Sequence, residues 1–397
     1  MTGEGKTIAR VTELEPAERN ELVDIVRGFA VFGICLVNVP EMAGNGVLFR
    51  SAHEGSDALI RLLFDMFVQT KFYTIFAFLF GMSFHLFIRS AGRRGAGAGA
   101  AARRFGALLV FGAAHAILLW HGDILLTYAL LGFLLLPFIR RQDETVAAWG
   151  WSLIGVAIFI HTLLGLSLLI MPANPISGPV FADGYPGPAE RIEYLYTDVA
   201  VSLLLNGVEL FGLFLLGMYA GRRGWFNPGA VPARRLAAIQ RVSLAVGLTA
   251  AAPMAIAYAK EPVYHFEPHY LYIFLSGKAL AVFYVATLMR LAGGGRSARF
   301  RPLAAVGRMA FTNYLTQTIL TVGLVYALRI EPGALPLWAT LLWSAALLVL
   351  QTYWSIRWLR RYRMGPFEWI WRLCTWLRAP AMRREAAGAD GTGMPMP

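Results

Sequence analysis

The feature that most constrains this chain is a series of about ten apolar runs. Each is long enough to cross a hydrocarbon layer about 30 Å thick, which takes about 20 helical residues. They lie at 22–40, 62–88, 104–121, 123–140, 147–171, 199–220, 237–258, 270–290, 303–328 and 335–356. A backbone in lipid must satisfy its own hydrogen bonds, so runs of this length become helices. The expected fold is all-α, a polytopic membrane helical bundle with about ten transmembrane helices. The second run carries Asp65 and Lys71 and reads as an interfacial half-helix leading into a true span near Phe72.

Basic residues orient the runs. With alternating spans and both the N-terminus and the C-terminus cytoplasmic, 26 of the 36 lysines and arginines fall in inside segments, six outside and four within spans. Cytoplasmic enrichment of this kind sets membrane topology. It also accounts for the net charge of +12 through topology and anionic lipid. Membrane lipids are therefore expected partners and nucleic acid is not. Cys35 and Cys374 lie at opposite ends of the chain, which points to neither a disulfide framework nor a thiol-metal site. No cleavable signal is expected in the polar "MTGEGKTIARVTELEPAERNE". The expected organisation is a cytoplasmic segment 1–21, a transmembrane domain 22–376 and a disordered cytoplasmic tail 377–397.

An ionisable group inside a span costs at least a few kcal/mol and so faces the bundle interior or a wet cavity. That rule, extended to amides, selects Arg27, Asn38, His85, His115, His161, Glu209, Lys278, Asn313 and Gln317. In the orientation above, Asn38, His53, Lys71, His121, Asp123, His265 and His269 lie near the outer face. Arg27, His85 and Arg308 lie toward the cytoplasm.

Two readings of "HGDILLTYALLG" (121–132) stand side by side. His115 sits about 9 Å below His121 along a helix, and a reversal at Gly122 would return Asp123 over it. A carboxylate beside an imidazole fixes its tautomer and raises its basicity, as general-base chemistry requires. Alternatively, Asp123 caps the next helix and His115 bonds a carbonyl across helices. Glu209 and Lys278 are positioned to form a buried ion pair. His265 and His269 have a metal-ligand spacing only in a helix, and Pro262 and Pro268 favour a loop, so no metal site is expected.

Four stretches, "LVDIVRGFAVFGICLVNV" (22–39), "KFYTIFAFLFGMSFHLFIR" (71–89), "LLVFGAAHAILLWHGDILLTYALLGFLLL" (108–136) and "GRMAFTNYLTQTIL" (307–320), resemble the YeiB-like family of membrane proteins, as does the closing "GPFEWIWRLCTW" (365–376). The resemblance covers nearly the whole chain after residue 20. It implies a distant relation to transmembrane acyltransferases such as heparan-alpha-glucosaminide N-acetyltransferase, a bacterial cytoplasmic (inner) membrane location and a homodimer. In many of those bacterial enzymes the position eleven after the Arg of a first-span Arg-Gly pair is a catalytic histidine. Here Arg27-Gly28 is followed at that spacing by Asn38. The lysosomal enzyme also has asparagine there, followed by an outer-loop histidine, for which His53 is the nearest candidate.

The resemblance thus implies acyl transfer from cytoplasmic acyl-CoA to an extracytoplasmic sugar, lipid or small metabolite. His115, Asp123, Asn38, His53 and His121 are the candidate catalytic residues. Arg27, Arg308, Arg222 and Arg223 would hold the donor phosphates. A small-molecule transporter or channel lined by Glu209, Lys278 and Asn313 is the alternative, and a non-catalytic membrane partner protein the third reading.

Overall fold

The computed structural model describes residues 20–45, 52–170, 185–293 and 295–384. Residues 1–19 of the expected N-terminal segment, 171–184 of the long outer loop and 385–397 of the expected tail lie outside the described residues. Fourteen helices follow in chain order: α1 Glu21–Met42, α2 Gly55–Phe67, α3 Lys71–Arg93, α4 Gly97–Leu118, α5 Leu125–Phe133, α6 Asp143–Ile170 and α7 Pro188–Leu205. After them come α8 Gly207–Arg222, α9 Ala233–Lys260, α10 Tyr270–Ala292, α11 Arg301–Arg308, α12 Ala310–Ala327, α13 Leu337–Arg361 and α14 Pro366–Trp376. Two-residue strands, β1 Ala52–His53 and β2 Tyr264–His265, pair antiparallel with Ala52 opposite His265.

Among the described residues seven helical segments, α2 and α3 taken as one, are long and apolar enough to cross a membrane, or eight when the bent pair α7–α8 counts as one span. Seven of the ten sequence runs coincide with them. The other three runs are the interrupted ones. The run 123–140 is divided between α5 and a 3-10 turn at Leu136–Arg140. The run 199–220 bends by 60° at Asn206. The run 303–328 breaks at Met309 between α11 and α12. In α12 the residues Thr312, Asn313, Gln317, Thr318 and Thr321 are all buried, so this helix is polar because it faces protein. Ahead of Phe72 the chain forms a separate helix, as the sequence reads: α2 ends at Phe67 and α3 begins at Lys71. The two helices α2 and α3 together form one 39-residue span candidate, broken at Val68–Thr70 where Thr70 adopts a left-handed φ of 70°.

Some helix ends have a local cause. Asn20 caps α1, accepting from Val23 N, and its amide donates to Phe226 O beyond α8. The amides exposed by the break at Met309 are collected by Glu368 on α14, whose carboxylate accepts from Phe311 N, Thr312 N and the Thr312 hydroxyl. A Cβ on Gly365 would lie 2.2 Å from Glu368 Oε2 and 2.5 Å from Thr312 Oγ1. The "GPFE" run is thus the fitting that seats α14 against the start of α12. At the same end Arg222 donates to Phe138 O, Ile139 O and Arg141 O and pairs with Asp143 at 3.0 Å. We call this the basic end; β1, β2 and the 119–124 turn lie toward the other.

Without a hydrophobic force between helices in lipid, close backbone approach at small residues drives packing. Two crossings depend on it. On α3 and α8, a Cβ at Gly81 would lie 1.8 Å from Phe214 O and one at Gly217 would lie 1.8 Å from Phe78 O. On α1 and α11, a Cβ at Gly28 would meet Leu303 O at 2.0 Å and one at Gly307 would meet Asp24 O at 1.9 Å. These contacts hold the frame on which the buried polar groups converge.

Candidate functional site

The reversal after α4 brings His115 and Asp123 together. His115 Nδ1 lies 2.9 Å from Asp123 Oδ1, with both side chains buried. On the other ring edge Nε2 is 2.9 Å from Thr318 Oγ1 of α12. The carboxylate is held twice more: Tyr314 OH donates to Oδ1 at 3.2 Å and Leu126 N to Oδ2 at 2.8 Å. Asp123 thus receives an amide of the following helical turn and also faces the imidazole, and His115 meets a hydroxyl across helices where a carbonyl was expected. With Nδ1–H assigned toward the carboxylate, Nε2 is left basic and accepts from Thr318; the tautomer follows from the network. Such an imidazole can take a proton from a hydroxyl placed where Thr318 now sits.

Just past the end of α4, at Leu119–His121, a small recess opens. Glu41, Trp120, His121, Tyr185, Arg191 and Tyr326 contribute to its walls. Arg191 is fixed there by donating to Tyr326 OH at 2.8 Å and to Ile117 O at 3.3 Å. Gly122 has a steric reason: a Cβ would lie 2.4 Å from the Trp120 indole, which folds over the turn. Burial, and then the charge of Arg191, push His121 down to about 4. The folded pKa lies below the unfolded value of about 6.5, so the stabilisation is complete above that value and is lost as pH falls toward 4. The melting temperature of purified protein is expected to drop between pH 6.5 and 4.5, and His121→Gln to flatten that drop. Equal slopes for both proteins would remove His121 from the account.

The remaining expected residues are dispersed. Asn38 is half-buried on α1 and makes no side-chain hydrogen bond with the described residues. His53 is buried in β1 opposite Tyr264, a neighbourhood built from α2 and β2. Arg27 pairs with Asp24 at 2.9 Å and donates to Ser83 Oγ. Arg308 donates to Arg363 O. Arg222 is committed to the carbonyls at the end of the 3-10 turn, whereas Arg223 is exposed. The structure thus unites His115 with Asp123 and places His121 beside them, but neither Asn38 nor His53 joins that group.

A second buried polar set forms where α3, α6, α8 and α10 meet. Lys278 Nζ lies 2.6 Å from Glu209 Oε1, the ion pair read from the sequence, and donates to Tyr73 OH at 2.9 Å. Tyr73 donates to Glu209 Oε2, His161 Nε2 stands 3.9 Å from that oxygen, and His161 Nδ1 bonds Tyr270 OH. A third set lies toward β2: Arg61 pairs with Asp65 at 2.9 Å, Tyr264 donates to Asp65 Oδ2, and Lys71 donates to Asp65 O. Asn313 and Gln317 serve packing, the first bonding Ser355 and the second Gln351 across α13. His265 and His269 are joined by a bond from ring Nδ1 to backbone oxygen.

Sequence reasoning missed Tyr314 and Thr318. Their hydroxyls cost little in a span, so a search for expensive groups passes over them. Their spacing of four on α12 was the available signal.

A family model described as "Protein of unknown function (DUF418)" matches residues 220–378, from the end of α8 through α14. The "Uncharacterized protein YxaH" of Bacillus subtilis (strain 168) is 29% identical over 92% of this chain and 97% of its own. The "Uncharacterized protein YeiB" of Escherichia coli (strain K12) is 31% identical over 91% and 97%. An identity of that size along nearly the full length of both chains makes this protein a member of the YeiB-like family.

Proposed function

We propose that this protein is a membrane acyltransferase in which His115, oriented by Asp123, takes the proton of an extracytoplasmic acceptor. The observation that carries the reading is the buried His115–Asp123 contact, close in sequence to the recess walled by Trp120, His121 and Arg191. In this reading the three runs outside the seven span candidates also cross the bilayer, giving ten spans with both termini cytoplasmic. The location is the bacterial inner membrane, and the family resemblance extends the reading to a homodimer. Acyl-CoA approaches from the cytoplasm, where Arg27 and Arg308 face its phosphates; Arg222 is already occupied by carbonyls and contributes less. The acceptor hydroxyl or amine, on a sugar, lipid or small metabolite, displaces Thr318 from Nε2 and attacks the thioester carbonyl. Its proton passes to His115 and the thiolate leaves.

Titration of acetyl-CoA and palmitoyl-CoA into purified protein in neutral detergent tests the donor half. Saturable binding is expected, weakened about tenfold by Arg27→Ala through loss of a charge-assisted contact. His115→Gln is expected to leave binding intact and to slow transfer by about 10²–10⁴-fold. No heat with either donor at millimolar concentration overturns the proposal. A small-molecule transporter is the second reading, favoured by the buried Lys278–Glu209–His161 set beside the helix break at Asn206.

A further inference from the structure

The buried polar set toward β2 ends in an imidazole on the wall of a cleft. Tyr264, fully buried, donates to Asp65 Oδ2 at 2.7 Å, and Asp65 pairs with Arg61 at 2.9 Å. The His269 ring lies against that fixed phenol, with centroids 4.9 Å apart and planes 23° from parallel. His269 Nδ1 is 2.6 Å from His265 O, in the strand paired with β1. A carbonyl only accepts, so Nδ1 carries the proton, and Nε2 of the neutral ring is an acceptor. His269 is 7% exposed, and among the described residues nothing bonds Nε2.

His269 forms part of the wall of a cleft of about 340 Å³ between the end of α6, the last turns of α9 and the start of α10. Small-molecule sites run from about 300 to 1,000 Å³, so the space suits a small head group. Glu261 stands on the same wall and makes no ion pair among the described residues. Lys260, the nearest cation in sequence, is exposed and does not line the cleft. Tyr272 adds an aromatic side chain, and Leu169 and Ala257 add apolar ones. Among the described residues, Glu261, His265 and His269 do not form a metal-binding group. A carboxylate, a lone-pair nitrogen and an aromatic ring on one cleft match a group that carries both N–H donors and positive charge.

We propose that this cleft binds a primary ammonium group joined to an apolar body, either an aminolipid headgroup or a free amphiphilic amine. The ammonium donates to His269 Nε2, Glu261 supplies the opposite charge, and the apolar part lies along Leu169 and Ala257. A quaternary ammonium has no N–H to give Nε2, so a trimethylated head is the discriminating analogue. The cleft shares no residue with the recess beside His121, and the inference stands without the acyl-transfer reading.

The test uses the full chain in phosphatidylcholine nanodiscs at pH 8, titrated calorimetrically with butylammonium and with butyltrimethylammonium. Native mass spectrometry of protein purified from bacterial membranes reports retained phosphatidylethanolamine. Butylammonium is expected to bind about tenfold more tightly than its trimethylated analogue, the worth of one hydrogen bond to a charged group. His269→Phe keeps a ring against Tyr264 but loses the acceptor, and is expected to weaken binding about tenfold. Glu261→Gln, at an exposed position that leaves the fold intact, is expected to weaken it about threefold. Butylammonium binding weakened by both variants assigns the site to a free amine. Phosphatidylethanolamine retention lost in both, with no butylammonium binding, assigns it to a lipid headgroup. Binding of neither, binding that both variants leave unchanged, or equal affinity for the trimethylated analogue overturns the site.

Discussion

Gly217→Leu is expected to yield no folded protein, while Gly217→Ala yields a weakened one. A Cβ at Gly217 would lie 1.8 Å from Phe78 O and 2.8 Å from its carbonyl carbon. Both are backbone atoms of a neighbouring helix, so no side chain can rotate away. The alanine methyl forces α8 off α3, which costs about 3 kcal/mol at the upper end of ordinary overpacking. Leucine cannot be placed at all. It also breaks the reciprocal contact at Gly81, which uses Phe214 O on the same pair of helices. Because total stabilities are about 5–15 kcal/mol, the loss of this crossing removes the fold. Gly155 is the control: it is exposed on α6 and a Cβ there meets nothing within 4 Å. Gly155→Ala is expected to be neutral or stabilising by up to about 1 kcal/mol through helix propensity. Size-exclusion profiles in detergent and thermal unfolding read all three. A monodisperse Gly217→Leu protein would show that the α3–α8 crossing is not set by backbone contact.

That crossing marks where sequence and structure part. Long apolar runs and basic loops made the helical membrane class legible, because lipid leaves a backbone few choices. Costly polar groups were legible for the same reason, and so Glu209 met Lys278 and His115 met Asp123. The helix breaks were not. Asn206 and Met309 interrupt runs whose apolarity is continuous, and the bends depend on tertiary contacts such as Glu368 reaching the amides of Phe311 and Thr312. Gly217 and Gly221 stand four apart, a spacing that favours close approach, yet nothing local names the partner helix. Arg104 illustrates a different loss. In sequence it ends a basic loop and topology accounts for it; only the placement of α14 shows it stacked on Trp371.

The same distinction between a charge that topology explains and one that the interior must answer governs Glu209. Glu209→Ala is expected to destabilise the bundle by about 3–5 kcal/mol, because it strands the Lys278 ammonium that now sits 2.6 Å from the carboxylate. Tyr73 OH, 2.9 Å from Nζ, would be left as its main acceptor. The rings around it soften the loss only in part, with the Phe274 centroid 4.0 Å from Nζ. Removing both charges should be far milder. In Glu209→Gln/Lys278→Met the methionine follows the lysine stem and the amide keeps an acceptor for Tyr73, so most of the stability returns. A coupling of about 2 kcal/mol or more between the two sites is the expected signature of a closed pair. Thermal unfolding of the two single variants and the double variant measures it. Simple addition of the single losses would mean that each group is answered separately, Glu209 by Tyr73 and His161 and Lys278 by its aromatic neighbours. The outcome also bears on what the protein does. A stable double variant that still binds acyl-CoA and transfers the acyl group confines this set to the frame. A stable double variant that has lost acyl transfer places Glu209 and Lys278 on the working path.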